Sequence, residues 1–285
     1  MTQLVDINNT FESYQRLIAF YEEHKNKEFD TIHIEFRQWF AANMCAALGG
    51  IFDKFTEDLN DIKFDYISPD IEKILLKNDF LSFFGRTRVV DNYHTTIRFL
   101  KLKLTDGKFF NNYVVHELIG RAELPKMSVL VKEKMTEAIY EIFVNAQIHS
   151  SSKHIYTCGQ FFPRDNRIEF TIVDTGMGFK RKVNETFNSN LSSIQAIKWA
   201  TEDTHTTKIG VTGGIGLAFI KEFVEKNKGK MQIISDDGFY QFNNQGEKAE
   251  LFKGSFPGTI VNLQFRTDDY SSYVLKKEFD NNDIF

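Results

Sequence analysis

Phe170-Thr171-Ile172-Val173-Asp174-Thr175-Gly176-Met177-Gly178 is an apolar strand that ends on an aspartate and runs straight into two alternating glycines. A carboxylate in that position stands at the rim of a core, where it can accept a hydrogen bond from an amino group. Glycine lets a ligand come close to the backbone. Asp and Gly are equally at home in an ordinary turn after a strand, so the stretch alone leaves both readings open.

Upstream, 154–162 and 167–173 read as two buried strands, and Lys126–Ser150 as one long helix. Glu137, Glu141, Asn145 and His149 recur on that helix every four residues and therefore share a face. Met135, Ala138, Ile139, Ile142, Phe143 and Ala146 supply its apolar remainder. A solvated face explains such a stripe as well as a site does. An Asn inside a good helix carries a mild propensity penalty and hints at a task.

Downstream, 179–212 is mostly polar, with one short helix expected around Ser192–Thr201. Gly213-Gly214-Ile215-Gly216-Leu217 then opens a helix to about Lys226, presenting free N–H groups and the positive end of a helix dipole to any anion. It is not a P-loop, because the Lys-Ser/Thr pair is missing. It is not a Rossmann fingerprint either, since no buried strand precedes it and Phe219 stands where the third Gly belongs. Strands at Lys230–Ser235, Phe239–Phe242 and Gly258–Arg266 complete the pattern, and the acidic tail (Asp268, Asp269, Glu278, Asp280, Asp283) reads as a solvated terminus.

The first hundred residues alternate differently. Helix 8–24, strand Thr31–Phe36, helix Ala41–Phe55, strand Ile62–Ile67, a helix opened by Ser68-Pro69 and a strand Thr95–Leu104 predict a small α/β domain over 1–105. Residues 106–125, with Gly107, Gly120 and Pro125, read as a linker to a second domain over 126–285. The 29 Phe divide evenly, 14 before residue 126 and 15 after, which suggests a core for each half.

With 42% apolar residues and a net charge of −4, the chain is neither disordered nor built to grip nucleic acid or anionic membrane through overall charge. Cys45 and Cys158 have no metal-ligand spacing and read as buried structural thiols. The start of the chain lacks the charged and apolar regions of a signal peptide, and no window reaches the ~18 apolar residues of a membrane span. A soluble cytoplasmic protein is expected.

Glu-x-x-x-Asn on a helix, Asp-x-Gly-x-Gly after a strand and Gly-Gly-x-Gly-Leu opening a helix, in that order, resemble the GHKL ATPase family, which groups gyrase, histidine kinases and MutL. Glu141 to Ser150 is most similar to the N box of anti-sigma-factor serine kinases. Asp174–Phe179 is similar to the G1 box and Gly213–Leu217 to the G2 box. Phe256-Pro257-Gly258-Thr259 is similar to the closing Gly-Thr.

The resemblance covers about 126–266 and implies an α+β fold. Its C-terminal part would be a two-layer α/β sandwich of the Bergerat ATP-binding type with a mixed sheet. It further implies ATP and Mg²⁺ as ligands. Asn145 would hold Mg²⁺, Glu141 would polarise the attacking water or acceptor hydroxyl, and Asp174 would read the adenine amine with Thr259 beside it. Gly176, Gly178, Gly213, Gly214, Gly216 and Leu217 would line the nucleotide, with His149 and Lys208 near phosphate. Residues 179–212 would form a lid, from which Lys180, Arg181 and Lys182 could also neutralise phosphate charge. Ile148 stands where many histidine kinases carry a lysine.

The N-terminal region more weakly resembles a STAS domain, with Ala41-Ala42-Asn43 in place of the usual phosphorylated serine motif. A generic α/β domain is the competing reading. Three uses of ATP follow from the resemblance: a regulatory switch or slow ATPase coupled to the N-terminal domain, a serine/threonine kinase acting on another protein, or a non-catalytic binding module. A protein partner through the N-terminal domain and pairing of two copies are further expectations, with no nucleic acid and no membrane. His116-Glu117-Leu118 superficially resembles a phosphoacceptor H box, but too few residues separate it from Asn145 for a dimerisation hairpin.

Overall fold

The computed structural model of the chain describes residues 2–149, 151–202 and 215–279. In chain order its elements are β1 (Thr2–Leu4), α1 (Phe11–His24), β2 (Thr31–Phe36), α2 (Cys45–Glu57), β3 (Asp61–Ile67), α3 (Pro69–Lys77), β4 (Thr96–Lys103) and α4 (Gly107–Tyr113). There follow β5 (Lys126–Met127), α5 (Val129–His149), β6 (His154–Phe162), β7 (Arg167–Asp174), α6 (Gly178–Phe187), α7 (Ser193–Thr201) and α8 (Ile215–Asn227). Last come β8 (Lys230–Asn243), β9 (Gly246–Arg266), β10 (Ser272–Tyr273) and a short helix α9 (Lys276–Phe279). The fold is α+β. Among the described residues no helix is long and apolar enough to cross a membrane.

A five-stranded sheet in the order β4-β6-β7-β9-β8 forms the centre, with each neighbouring pair antiparallel. Its side chains alternate between two buried faces. Ile155, Ile168, Phe170, Ile172, Val261 and Leu263 pack with Ile139 and Phe143 of α5 and Ile220 and Val224 of α8. Tyr156, Cys158, Val173, Ile234 and Ile260 point the other way, into a cluster with Leu17 and Ile18 of α1 and Leu48 and Ile51 of α2.

Beyond α1 and α2 lies a second sheet, β1-β2-β3, whose strands are all parallel. The two helices are its crossover connections, and Leu4, Ile32 and Ile34 of this sheet join the same cluster. The layers are therefore small sheet, α1 and α2, large sheet, then α5 with α8. Local signals hold at several ends. Thr10 caps α1 by accepting from Ser13 N, and Ser192 with Gln195 closes a capping box on α7. Ser68 occupies the N-cap of α3, with Pro69 opening it.

Several expectations change. The strand read as the end of an N-terminal domain, β4, pairs with β6 as an edge of the large sheet. Residues read as a linker form α4 and a π-helical turn, Val114–Ile119, whose Phe110, Val114 and Leu118 are buried in the α5 core. The two cores are separated by the large sheet rather than by a boundary at 105–125: Phe162, Phe239, Phe252 and Phe256 join the core of the N-terminal layer, and Phe110 joins the other. The three final strands are two: β8 and β9 make one long hairpin, bent at a register shift near Asp236. The acidic tail is tied down in part. Asp269 accepts from Asn227 and Tyr273, and Glu278 accepts from Ser128.

Between α1, α2 and the large sheet the chain buries polar groups. Asn262 Nδ2 donates to Glu169 Oε2 at 2.8 Å and to Gln232 Oε1 at 3.2 Å. Thr171 donates to Asn262 Oδ1 at 2.8 Å, and Asn43 Nδ2 donates to Thr171 Oγ1 at 3.0 Å. Glu169 is only 1% exposed, so losing a partner strands a desolvated carboxylate oxygen. Asn262→Ala should therefore lower the unfolding free energy by about 3 kcal/mol. In urea titration this would appear as a lower midpoint with an unchanged slope.

Candidate functional site

The end of β7 and the start of α8 meet α5 on one side of the large sheet. Asp174 closes β7 and is 8% exposed, and its Oδ1 accepts from Gly176 N at 2.9 Å. In the ladder it faces Thr259 of β9, and Thr259 in turn faces Ser235 of β8. Residues directly opposite across strands point to the same face, so Asp174, Thr259 and Ser235 form a polar row on the α5 side. The Ser235 and Thr259 hydroxyls lie 3.3 Å apart.

Two glycines hold this row together for reasons of backbone geometry. Gly258 has φ +144, and a Cβ there would collide with the Asp174 carbonyl oxygen. Gly178, at φ +72, lies so close to β8 that a Cβ would stand 2.6 Å from Asp236 Oδ2. The start of α6 is consequently fixed to β8. Ser235 Oγ accepts from Phe179 N at 2.8 Å, and the Asp236 carboxylate accepts from the Lys180 backbone N–H.

On α5 the four-residue stripe divides. Glu137 is exposed and pairs with Lys134, as a solvated face requires. Glu141 is half-buried, and its Oε2 accepts from Gly216 N at 2.9 Å. That bond spans α5 to the first turn of α8 and places a carboxylate against the positive end of a helix. A Cβ on Gly216 would stand 2.5 Å from the same oxygen, so only glycine permits the approach. Asn145 lies one turn beyond Glu141 and is half-buried. Leu217 is packed into the α5 core, 7% exposed.

The structure thus gathers Asp174, Gly176, Gly178 and Thr259 at one end of the sheet and joins Glu141 to Gly216. Lys208, Gly213 and Gly214 lie outside the described residues, as does the side chain of His149. The stretch expected to be a lid from 179 begins as two helices. α6 and α7 both pack on β8, with Ala196 and Ile197 buried. The remainder, 203–212, is outside the described residues.

Sequence reasoning does not single out Ser152, Ser235 and Asp236. Ser152 Oγ accepts from Thr175 N at 3.1 Å and donates to His154 O at 2.6 Å, which braces the turn after Asp174. Ser235-Asp236-Asp237-Gly238 resembles a plain turn. Its one distinguishing signal is its place at the end of an apolar strand, as with Asp174. Among the described residues no group of three or more His, Cys, Asp or Glu side chains is placed to hold a metal. A divalent cation bound here would draw on Asn145, water and its own anionic ligand.

No protein-family model matches the chain, and no curated protein matches its sequence.

Burial raises the Asp236 carboxyl above its ordinary value of 3.8, and the neighbouring Asp237 pushes it the same way. The Lys180 backbone N–H and ammonium oppose the shift only in part. The folded chain therefore holds this proton more tightly than the unfolded one. The resulting stabilisation is present at low pH and is lost as pH rises from 3.8 through the raised value. Asp236→Asn keeps an acceptor for Lys180 N–H and cannot ionise. Its stability relative to wild type should rise across that window and then level off, measured as urea midpoints from about pH 3.5 to about 7.

Proposed function

We propose that the chain binds ATP with Mg²⁺ at the junction of β7, α5 and α8, in a site of the GHKL type on a Bergerat-like sheet. The observation that carries this reading is the arrangement around Asp174. A nearly buried carboxylate ends β7 in register with Thr259, on the face covered by α5, while Glu141 of α5 reaches the first turn of α8. A carboxylate and a hydroxyl side by side suit an adenine amine and its ring nitrogen. The first turn of α8 suits phosphate oxygens.

In this reading the phosphates take over the Gly216 amide from Glu141. Two anions cannot both accept one N–H in a favourable geometry, so the Glu141 carboxylate gives up that amide. It then accepts a proton from the attacking water as the water oxygen bonds to the γ-phosphorus and ADP departs. Mg²⁺, held through Asn145, would neutralise charge on the phosphates when bound. The motif resemblance would add Lys208, Gly213, Gly214 and His149 on the phosphate side, and Leu217 supports it from the core.

A regulatory switch or slow ATPase is the use we favour, because α1 and α2 pack on the back of the sheet that carries Asp174. The N-terminal layer would then offer a protein partner its small sheet, in a cytoplasmic protein. Pairing of two copies is part of the same reading.

Asp174→Ala should abolish ATP binding in calorimetry. Glu141→Gln should bind ATP at least as tightly as wild type and release no phosphate from labelled ATP. ATP binding by Asp174→Ala at wild-type affinity would overturn the site. Label appearing on a protein rather than as free phosphate would favour the kinase over the ATPase.

A further inference from the structure

We propose that Gly50 of α2 is a positioning residue for the nucleotide site, through which the N-terminal layer sets the turn after Asp174. The inference rests on the ATP reading above. α2 carries two consecutive glycines in its interior, where each weakens the helix relative to Ala. Packing explains both. A Cβ on Gly49 would stand 2.8 Å from the tip of the Phe99 ring, and a Cβ on Gly50 would stand 2.8 Å from Thr175 Cγ2.

The two neighbours differ in how they can yield. Phe99 meets Gly49 with the far end of a long side chain. Thr175 is short, β-branched and 7% exposed, so it has few rotamers to choose from. Its hydroxyl lies 3.2 Å from Ser152 Oγ, and its backbone N–H donates to the same oxygen. Turning the side chain away would break the first of these contacts. On the sheet side, beside Thr175, the Tyr156 ring lies 3.5 Å from the Cβ position, and Asp53, one turn along α2, ties the helix to the sheet by accepting from Tyr156 OH at 2.6 Å. The helix therefore cannot easily retreat from the sheet.

A methyl group at residue 50 would accordingly be relieved by moving the backbone of Thr175. Asp174 and Gly176 flank that residue and are bonded to each other. On the opposite side the Asp174 carbonyl is closely approached by Gly258, which leaves little room for the shift. The absent side chain of Gly50 thus fixes the depth of the turn, and with it the aim of the Asp174 carboxylate.

The test compares Gly50→Ala, Gly49→Ala, Thr175→Ser and the Gly50→Ala/Thr175→Ser double variant of the full chain by Mg-ATP calorimetry. Gly50→Ala should weaken binding about tenfold. Thr175→Ser removes the colliding methyl and keeps the hydroxyl, so the double variant should return to within about threefold of wild type. Gly49→Ala, on the same helix but facing Phe99, should bind like wild type. The proposal is overturned if Gly50→Ala binds normally, if Thr175→Ser fails to rescue it, or if Gly49→Ala loses as much. In those cases wild-type binding leaves the ATP reading standing. If wild type itself binds no Mg-ATP, that reading fails and this one with it. Should Gly50→Ala alone not fold, a folded, binding-competent double variant supports the proposal and an unfolded one refutes it.

Discussion

Both faces of the five-stranded sheet are buried, and the remaining layers follow from that constraint. An antiparallel sheet commonly leaves one face to water and shows it in alternating polar residues. Here the second face is buried too, carrying Tyr156, Cys158, Val173 and Ile260 beside buried polar residues such as Glu169, Thr171 and Asn262. Such a face needs a cover, and α1 and α2 provide it. Those helices in turn bury their outer sides under β1-β2-β3. Removing the N-terminal third would expose an apolar sheet face, so the N-terminal layer is structural before it is anything else.

Where polar groups interrupt this second interface, most of them bond to one another. Asn43, Thr171, Asn262, Gln232 and Glu169 form one connected set. Apolar contacts alone would tolerate sliding of α1 and α2 over the sheet. A buried hydrogen-bonded set does not, because each displaced partner leaves a desolvated group behind. The Asn43 position offers no hydroxyl for modification, and it is fully buried against the sheet.

Local patterns were legible. The strand ending at Asp174, the helix bearing Glu141 and the helix that holds Gly216 are each written in contiguous residues, and each lies where its period or turn chemistry places it. Features that depend on residues far apart were not. Nothing in Thr96–Lys103 itself says that it pairs with β6 rather than with β2 or β3. Residues 107–119 read as a linker because Gly107 and Gly120 bracket them, although Phe110, Val114 and Leu118 bury one side. α6 was hidden by Lys180, Arg181 and Lys182, which give its exposed face the composition of a loop. Its N-terminus is held by Ser235 and Asp236, more than fifty residues later.

Cys158 lies on the second face of the sheet, where its Sγ donates to the carbonyls of Ala42 and Asn43, each at 3.2 Å. Burial raises its thiol, and that of Cys45, well above the ordinary range. Both sulfurs are thus sealed between the N-terminal layer and the sheet in their unreactive, protonated form. Alkylating or oxidising agents can reach Cys158 only when the two layers part. The chain therefore carries a built-in chemical reporter of that opening, on the side of the sheet away from Asp174.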